Sequence, residues 1–307
     1  LKRQNPDAVM VLTGCYPQAF PQDAAALEEA DIVTGSTNRG GLLDLVQAYL
    51  QNHQRIVQII PHQKGEAFEK MTASRFSERT RAFVKIQDGC DRYCAYCIIP
   101  YARGPVRSKP VADIAAELGQ LAAQGYQEVV LVGINLPCYG KDLGLRLIDA
   151  VEAACRVEGI RRIRLGSLEP ELLTAEDLKR LAAQPKFCPQ FHLSLQSGCD
   201  RTLKAMNRHY DSAEYRRIVE DIRKMFENPS ITTDIMVGFP GETEEDFQQS
   251  ADFAQEIGLA KAHVFTYSAR PGTRAAAMPD QVTQQEKESR STRLIKVTDL
   301  ARQAFLQ

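Results

Sequence analysis

No apolar run in this 307-residue chain approaches the roughly 18 residues that a membrane-spanning helix needs, and no charged-then-apolar leader opens it. A cytoplasmic protein without a membrane partner is the expectation. An excess of charge of one sign is missing too. The 38 Lys and Arg stand against 39 Asp and Glu, a net charge of −1, so no protein-wide basic field announces nucleic acid and such a contact must come from a local patch. The dinucleotide fingerprint Gly-x-Gly-x-x-Gly is absent. So is any paired-histidine spacing, and no Ser-His-Asp or paired-carboxylate arrangement that would run hydrolytic chemistry shows itself. No low-complexity tract interrupts the chain.

What is present is an α/β alternation with charged and apolar fractions ordinary for a globular protein. A strand pattern over 7–13, an Ala-rich helix over 22–29, a strand over 31–34 and a helix over 41–49 make a small α/β layer. The stretch 61–79 is polar and aperiodic and reads as a linker, with the boundary near Arg79. Beyond it, strands over 82–86, 128–132, 162–165, 190–195, 231–237 and 262–265 alternate with helices over 111–123, 145–154, 175–182, 213–225 and 244–257. A final helix spans 284–305. Six strands in regular βα alternation predict a parallel sheet with right-handed crossovers, curled into a partial (β/α)6 barrel over 80–307 and preceded by part of a small α/β domain over 1–79. Functional groups then belong at the strand C-termini. From Lys64 to Lys109, ten Lys or Arg face five acids, a local excess of five positive charges.

Eight cysteines in a chain neither small nor secretory in appearance read as metal ligands rather than a disulfide framework. Three are decisive. In Gln87-Asp-Gly-Cys-Asp-Arg-Tyr-Cys-Ala-Tyr-Cys-Ile-Ile-Pro100, Cys90, Cys94 and Cys97 stand at x3 and x2 spacing on the loop after the first barrel strand, able to ligate three corners of a [4Fe-4S] cube and leave the fourth iron open. The open iron can take the amino and carboxylate groups of S-adenosylmethionine, with chemistry that belongs to the cofactor. Zinc is the alternative, but it takes four ligands and no second Cys-x2-Cys or His-x3-5-His follows. Cys138, Cys155, Cys188 and Cys199 read as packing residues.

The other strand ends supply candidates for holding that cofactor. Tyr96 precedes the last cysteine. Gly133 would let backbone approach the methionine amino group, and Asn135 adds a polar hand. Ser167 and Glu169 end the third strand, where Glu169 can accept a hydrogen bond. Gln196 sits in a small polar turn after the fourth, and Arg208 is placed with the same set. His192 reads as a packed strand residue. Asp234 begins the run through Gly238-Phe-Pro-Gly241, bent to pass beneath a flat ring, with Thr243 capping the next helix. Tyr267, Arg270 and Arg274 suit stacking on a base and gripping phosphate.

Together these residues resemble the radical-SAM methylthiotransferases, and the resemblance covers nearly the whole chain. Thr13-Gly-Cys15-Tyr-Pro-Gln is similar to the family's third N-terminal cysteine motif, which implies that Cys15 ligates a second, auxiliary [4Fe-4S] cluster in the full-length protein. The two companion cysteines would precede Leu1, and the family's RNA-binding β-barrel would follow Gln307. Cys97-Ile-Ile-Pro-Tyr101-Ala-Arg103-Gly and the run from Tyr267 to Met278 most resemble the branch acting on N6-threonylcarbamoyladenosine beside the tRNA anticodon. Sister branches take isopentenyladenosine in tRNA or a ribosomal-protein aspartate. The resemblance implies that one SAM methylates a sulfur at the auxiliary cluster and that a second is cleaved at the Cys90/Cys94/Cys97 cluster to abstract hydrogen from carbon 2 of the adenine. It also implies Arg103, Arg107 and Arg270 as contacts to the anticodon loop, an electron donor such as flavodoxin or ferredoxin, and a monomer.

Overall fold

The computed structural model describes residues 2, 4–71 and 80–307. The boundary expected near Arg79 and the linker residues 72–79 lie outside the described residues. The first layer runs β1 (Val11–Leu12), α1 (Cys15–Ala19), α2 (Pro21–Ala25), β2 (Ile32–Thr34), α3 (Leu42–Asn52) and β3 (Ile56–Gln58), with a parallel sheet in the order β1-β2-β3. Only two residues of the expected strand 7–13 pair. Its lead-in is instead held by Asp31, which accepts from the Met10 amide (2.7 Å), Lys2 Nζ (2.7 Å) and the Tyr49 hydroxyl (2.8 Å). α2 starts at Pro21, whose fixed φ suits a first turn, and it ends four residues short of the expectation. β3 had no signal in the sequence because it is three residues long and mostly exposed.

The larger unit follows as β4 (Ala82–Lys85), β5 (Gln87–Asp88), α4 (Ile99–Arg103), β6 (Arg107–Ser108), α5 (Val111–Ala123), β7 (Glu128–Val132), α6 (Leu147–Arg156), β8 (Arg162–Leu165), β9 (Ser167–Leu168), α7 (Ala175–Ala182), β10 (Gln190–Leu193), α8 (Asp200–Ala205), α9 (Ser212–Met225), β11 (Ser230–Val237), α10 (Glu244–Glu256), β12 (Lys261–Thr266) and α11 (Gln284–Leu306). Strands pair in parallel as β4-β7-β8 and as β9-β10-β11-β12. β8 and β9 are one strand broken at Gly166, and the Ile163 amide and carbonyl bond to Lys186 and Cys188 on the approach to β10 (2.8 and 2.9 Å). The two sheets therefore form one curled path of six strands, the expected partial barrel.

Alternation along each strand explains the layering. Val84, Leu131, Ile163, Phe191 and Ile235 point outward and are buried under Ile114, Leu118, Val151, Tyr215 and Phe247 of the helices. The opposite, inner face is polar and half-buried. There Glu128 takes Arg162 and Arg164 (2.7 and 2.8 Å), and His192 meets Thr232 (2.9 Å) and Asp234 (3.2 Å). Thr174, Thr243 and Thr283 open α7, α10 and α11 with reciprocal capping boxes. The short antiparallel pair β5–β6, two residues on each side, folds the cysteine loop back on itself and was not legible as alternation.

Candidate functional site

The cysteine loop leaves β5 through Gly89, whose φ is +76° and where a Cβ would collide with the Pro105 carbonyl. The loop is then pinned at several points. The Cys90 amide donates to the Gly104 carbonyl (3.1 Å), and the Cys97 amide to that of Cys94 (2.9 Å). Ala95 uses both its groups, donating to the Met206 carbonyl and accepting from the Ala275 amide, each at 2.8 Å. Gln87, fully buried, ties the loop to the end of β7. Its Nε2 donates to the carbonyls of Asp88 (2.8 Å) and Gly89 (2.7 Å), and its Oε1 accepts from the Asn135 amide (2.7 Å). The space that the missing Gly133 side chain leaves is taken by this same Gln87, whose Oε1 would stand 2.7 Å from a Cβ there. Sequence reasoning gave that glycine to a ligand and overlooked Gln87.

Around the three thiols stand groups from other strand ends. Arg208 is buried, donates to Cys94 Sγ (3.2 Å), Tyr96 Oη (3.5 Å) and Tyr210 Oη (3.1 Å), and forms an ion pair with Glu169. Asn135 Nδ2 reaches Cys90 Sγ (3.7 Å). Burial pushes the Cys97 thiol up to about 11, with Cys94 and Cys90 adding to it, and drives Cys90 upward as well. Burial also holds the Tyr96 phenol far above its ordinary range. To ligate as thiolates these buried cysteines need positive charge, which Arg208 supplies in part and an iron cube would complete. A single zinc ion would gather its donors at about 2.3 Å, and among the described residues no three His, Cys, Asp or Glu side chains converge to hold an ion. Two buried polar atoms at this end of the barrel, Asn135 Oδ1 and Tyr267 Oη, have no partner among the described residues. Buried polar atoms are normally paired, so these fit a site completed by a polar ligand. The residues present therefore suit both a cluster and a bound cofactor.

The remaining candidates fall in different places. Gln196 is held at φ +65°, its amide donating to Asp234 and its carbonyl accepting from Met236 (both 2.8 Å). Such a left-handed non-glycine residue is strain that the neighbouring strand enforces. Ser167 is exposed on β9 in register with His192, and Asp234 is partly exposed on β11. His192, read as packing, instead forms the Thr232–Asp234 link of the inner face. Tyr267 does not present its ring to a base. It is 3% exposed and packs against Phe239, with Lys287 Nζ 5.1 Å from the ring centroid. Gly238 makes room for the Lys287 stem and so serves packing first.

Arg107 corrects the expectation of a phosphate contact. Its side chain is 4% exposed, Nη1 donates to the carbonyls of Arg103 (2.9 Å) and Pro105 (3.0 Å), and Asp88 and Glu66 neutralise it. Arg103 turns toward the first layer, where Nε donates to Cys15 Sγ (3.1 Å). Arg270 is exposed and shares a recess with Cys15 and Tyr16. Cys138, Cys155 and Cys199 are buried free thiols, and Cys188 is half-buried. The absence of a Ser-His-acid arrangement does not hold in three dimensions. Ser36 Oγ lies 2.8 Å from His62 Nε2, and His62 Nδ1 lies 2.9 Å from Glu66. Yet Ser36 is 2% exposed and its hydroxyl donates to the Ala102 carbonyl (2.6 Å), so the chain of bonds fastens the first layer to α4 instead of making a nucleophile.

The radical SAM superfamily matches over residues 84–254. The chain is 39% identical over 311 residues to the threonylcarbamoyladenosine tRNA methylthiotransferase MtaB of Aquifex aeolicus, covering all of this chain and 75% of that protein. It is 38% identical to the Bacillus subtilis protein of the same name, covering 97% and 66%. It is also 38% identical to the tRNA-2-methylthio-N(6)-dimethylallyladenosine synthase of Pelotomaculum thermopropionicum, covering 96% and 67%. The chain thus spans about two thirds to three quarters of the length of these relatives. Among solved structures, the cobalamin-dependent S-adenosylmethionine radical enzyme OxsB aligns over 98% of this chain and 44% of its own, with a TM-score of 0.57 and 13% identity. The radical S-adenosylmethionine methyltransferase TsrM of Kitasatospora setae aligns over 64% and 38%, with a TM-score of 0.55 and 17% identity. At such identities the likeness is one of fold.

Proposed function

Because the chain belongs to the radical SAM superfamily and, within it, to the tRNA methylthiotransferases, we propose that it adds a methylthio group to carbon 2 of N6-threonylcarbamoyladenosine beside the anticodon of tRNA. The observation that carries this reading is the Cys90/Cys94/Cys97 loop, pinned at the strand ends of an open barrel beside Arg208, Glu169 and two unpaired buried polar atoms. Cys90, Cys94 and Cys97 hold a [4Fe-4S] cluster and the neighbouring strand ends hold S-adenosylmethionine. When bound, these supply one-electron chemistry able to take hydrogen from an unactivated carbon.

The chain's own residues do the positioning. Gln87 and the Ala95 bonds fix the loop. Arg208 balances the thiolate beside it and orients Glu169. Asn135 Oδ1 and Tyr267 Oη offer hydrogen bonds to the cofactor, with Tyr96, Ser167, Gln196 and Asp234 around it. The backbone beside Gly133 completes that wall. Cys15, held beside Arg103, serves the auxiliary cluster. Arg270 and the exposed part of Arg103 contact tRNA phosphate; Arg107 has no such role. Residues 1–79 act as the N-terminal unit and 80–307 as the partial barrel. The protein works as a cytoplasmic monomer with a flavodoxin or ferredoxin as reductant; among the described residues no helix is long and apolar enough to cross a membrane.

Relatives named for dimethylallyladenosine match nearly as well as those named for threonylcarbamoyladenosine, so the test compares two substrates. The anaerobically reconstituted protein is given SAM, sulfide, a reductant and an anticodon stem-loop carrying one nucleoside or the other. Mass spectrometry of the nucleosides should show the methylthio product from threonylcarbamoyladenosine. Product from dimethylallyladenosine alone would move the protein to the sister branch, and SAM cleavage with product from neither would contradict the proposal.

A further inference from the structure

On the outer side of the cysteine loop two aromatic rings stand in water. Tyr93 is 55% and Tyr101 58% exposed, and their rings meet edge to face, with centroids 5.9 Å apart at 75°. In that arrangement the edge of one ring meets one face of the other, which leaves the remaining faces for a planar partner. The pair is held, not loose. Tyr93 sits at φ +48°, a left-handed conformation costly for an aromatic residue. Asn207, itself at φ +59°, donates from Nδ2 to the carbonyls of Tyr93 (3.1 Å) and Arg92 (3.4 Å) and fixes the turn. Tyr101 stands on α4, two residues before Arg103.

Both rings border two hollows. One, of about 240 Å³, is lined by the pair together with Cys94, Cys97, Asn207, Thr273 and Arg274. None of its described lining residues is acidic, and Arg274, which donates to the Ala205 carbonyl (3.1 Å), is its cation. The other, larger hollow reaches Cys90 and Lys64. An aromatic face, a guanidinium, an amide and a hydroxyl around a recess of one ring system's size are what single-stranded RNA recognition uses: a splayed base stacks on the ring, and cations meet its phosphate. A protein partner would need a flat patch several times larger.

We infer that Tyr93 and Tyr101 form a stacking platform for an unpaired anticodon-loop base flanking the modified adenosine, with Arg274 meeting the adjoining phosphate. The inference rests on the tRNA reading above and adds positioning residues to it. Stacking of one base is lost as roughly a tenfold weakening of affinity with little change in salt dependence, whereas a phosphate contact contributes about one unit to the salt slope.

The test uses the reconstituted protein and an anticodon stem-loop carrying 2-aminopurine at each loop position in turn. With wild type, fluorescence at one position flanking the target should be quenched. Tyr101→Ala should abolish that quenching and weaken binding about tenfold at an unchanged salt slope, Tyr101→Phe should restore both, and Arg274→Gln should lower the slope. Iron content per chain, measured alongside, separates loss of the platform from loss of the cluster. Should Tyr101→Ala disturb the cluster, the wild-type quenching pattern alone decides, and no quenched position overturns the inference. Wild-type affinity in Tyr101→Ala also overturns it, as does a variant that binds RNA normally but is reduced slowly by flavodoxin, which would assign the rings to a protein partner. If wild type makes no methylthio product, it is the tRNA reading that fails instead.

Discussion

At Gly89 a single missing atom decides whether the cysteine loop can exist, because its φ of +76° and the Pro105 carbonyl both exclude a side chain. Gly89→Ala is therefore expected to cost at least about 2 kcal/mol, from left-handed strain plus a backbone shift, and to lower the iron bound after reconstitution; denaturant melts and iron assays read the two effects. Arg208 is the second such residue. Removing it leaves the half-buried Glu169 without its partner, and breaking such a pair costs up to about 3 kcal/mol, the low end for a buried pair. Arg208→Met should show that loss, and the further change Glu169→Gln should recover part of it, a coupling that a double-mutant cycle measures. The three cysteines stand out in the sequence because their spacing lies within one loop. The role of Arg208 was legible only as a candidate, since its partners Cys94, Tyr96 and Glu169 come from elements far apart in the chain. Arg107 was misjudged because an arginine in a basic stretch normally faces water, and nothing in the sequence shows that Asp88 and the carbonyls of Arg103 and Pro105 will enclose it.

Among the elements, those read to the residue were α5, α7, β7 and β8, whose apolar period and burial agree along their whole length. Short elements escaped. β5 and β6 have two residues each, and α4 and α8 have five and six, too few for either period to declare itself. The start of α10 shows how capping and charge combine. Asp246 accepts from the Thr243 amide (2.7 Å) and hydroxyl (2.9 Å) and pairs with Arg201, and that pairing holds its carboxyl well below its ordinary value of 3.8. A carboxyl depressed in the folded state stabilises fully above its unfolded pKa and loses that contribution as pH falls through the folded value. Asp246→Asn should therefore cost about 2 kcal/mol at neutral pH. The gap from wild type should persist down to about pH 4 and close below it, as read from urea melts across pH. A gap constant to the lowest pH would refute the assignment.

At the scale of the molecule, the first layer is fastened to the barrel beside the cysteine loop. Ser36, backed by His62 and Glu66, donates across to the Ala102 carbonyl, and Arg39 of the layer approaches the buried Asp88 (3.7 Å), which also takes Lys85 (2.5 Å) and Arg103 (3.7 Å). This joint could not be read from the sequence, since Ser36 stands 26 residues from His62 and 66 from Ala102. Ser36→Ala should cost about 1–2 kcal/mol through the unpaired Ala102 carbonyl, and amide exchange should quicken over 56–66 while β7 and β11 stay protected. The whole arrangement has one purpose in this account: to hold an iron cube with an open corner where strand ends can present S-adenosylmethionine to it. The measurement that reaches this claim most directly is the iron content and electron paramagnetic resonance spectrum of the anaerobically reconstituted, dithionite-reduced protein with and without S-adenosylmethionine. About four irons per chain ligated through Cys90, Cys94 and Cys97, with a spectrum that changes on adding S-adenosylmethionine, is the result predicted. A spectrum indifferent to S-adenosylmethionine, or zinc in place of iron, would contradict it.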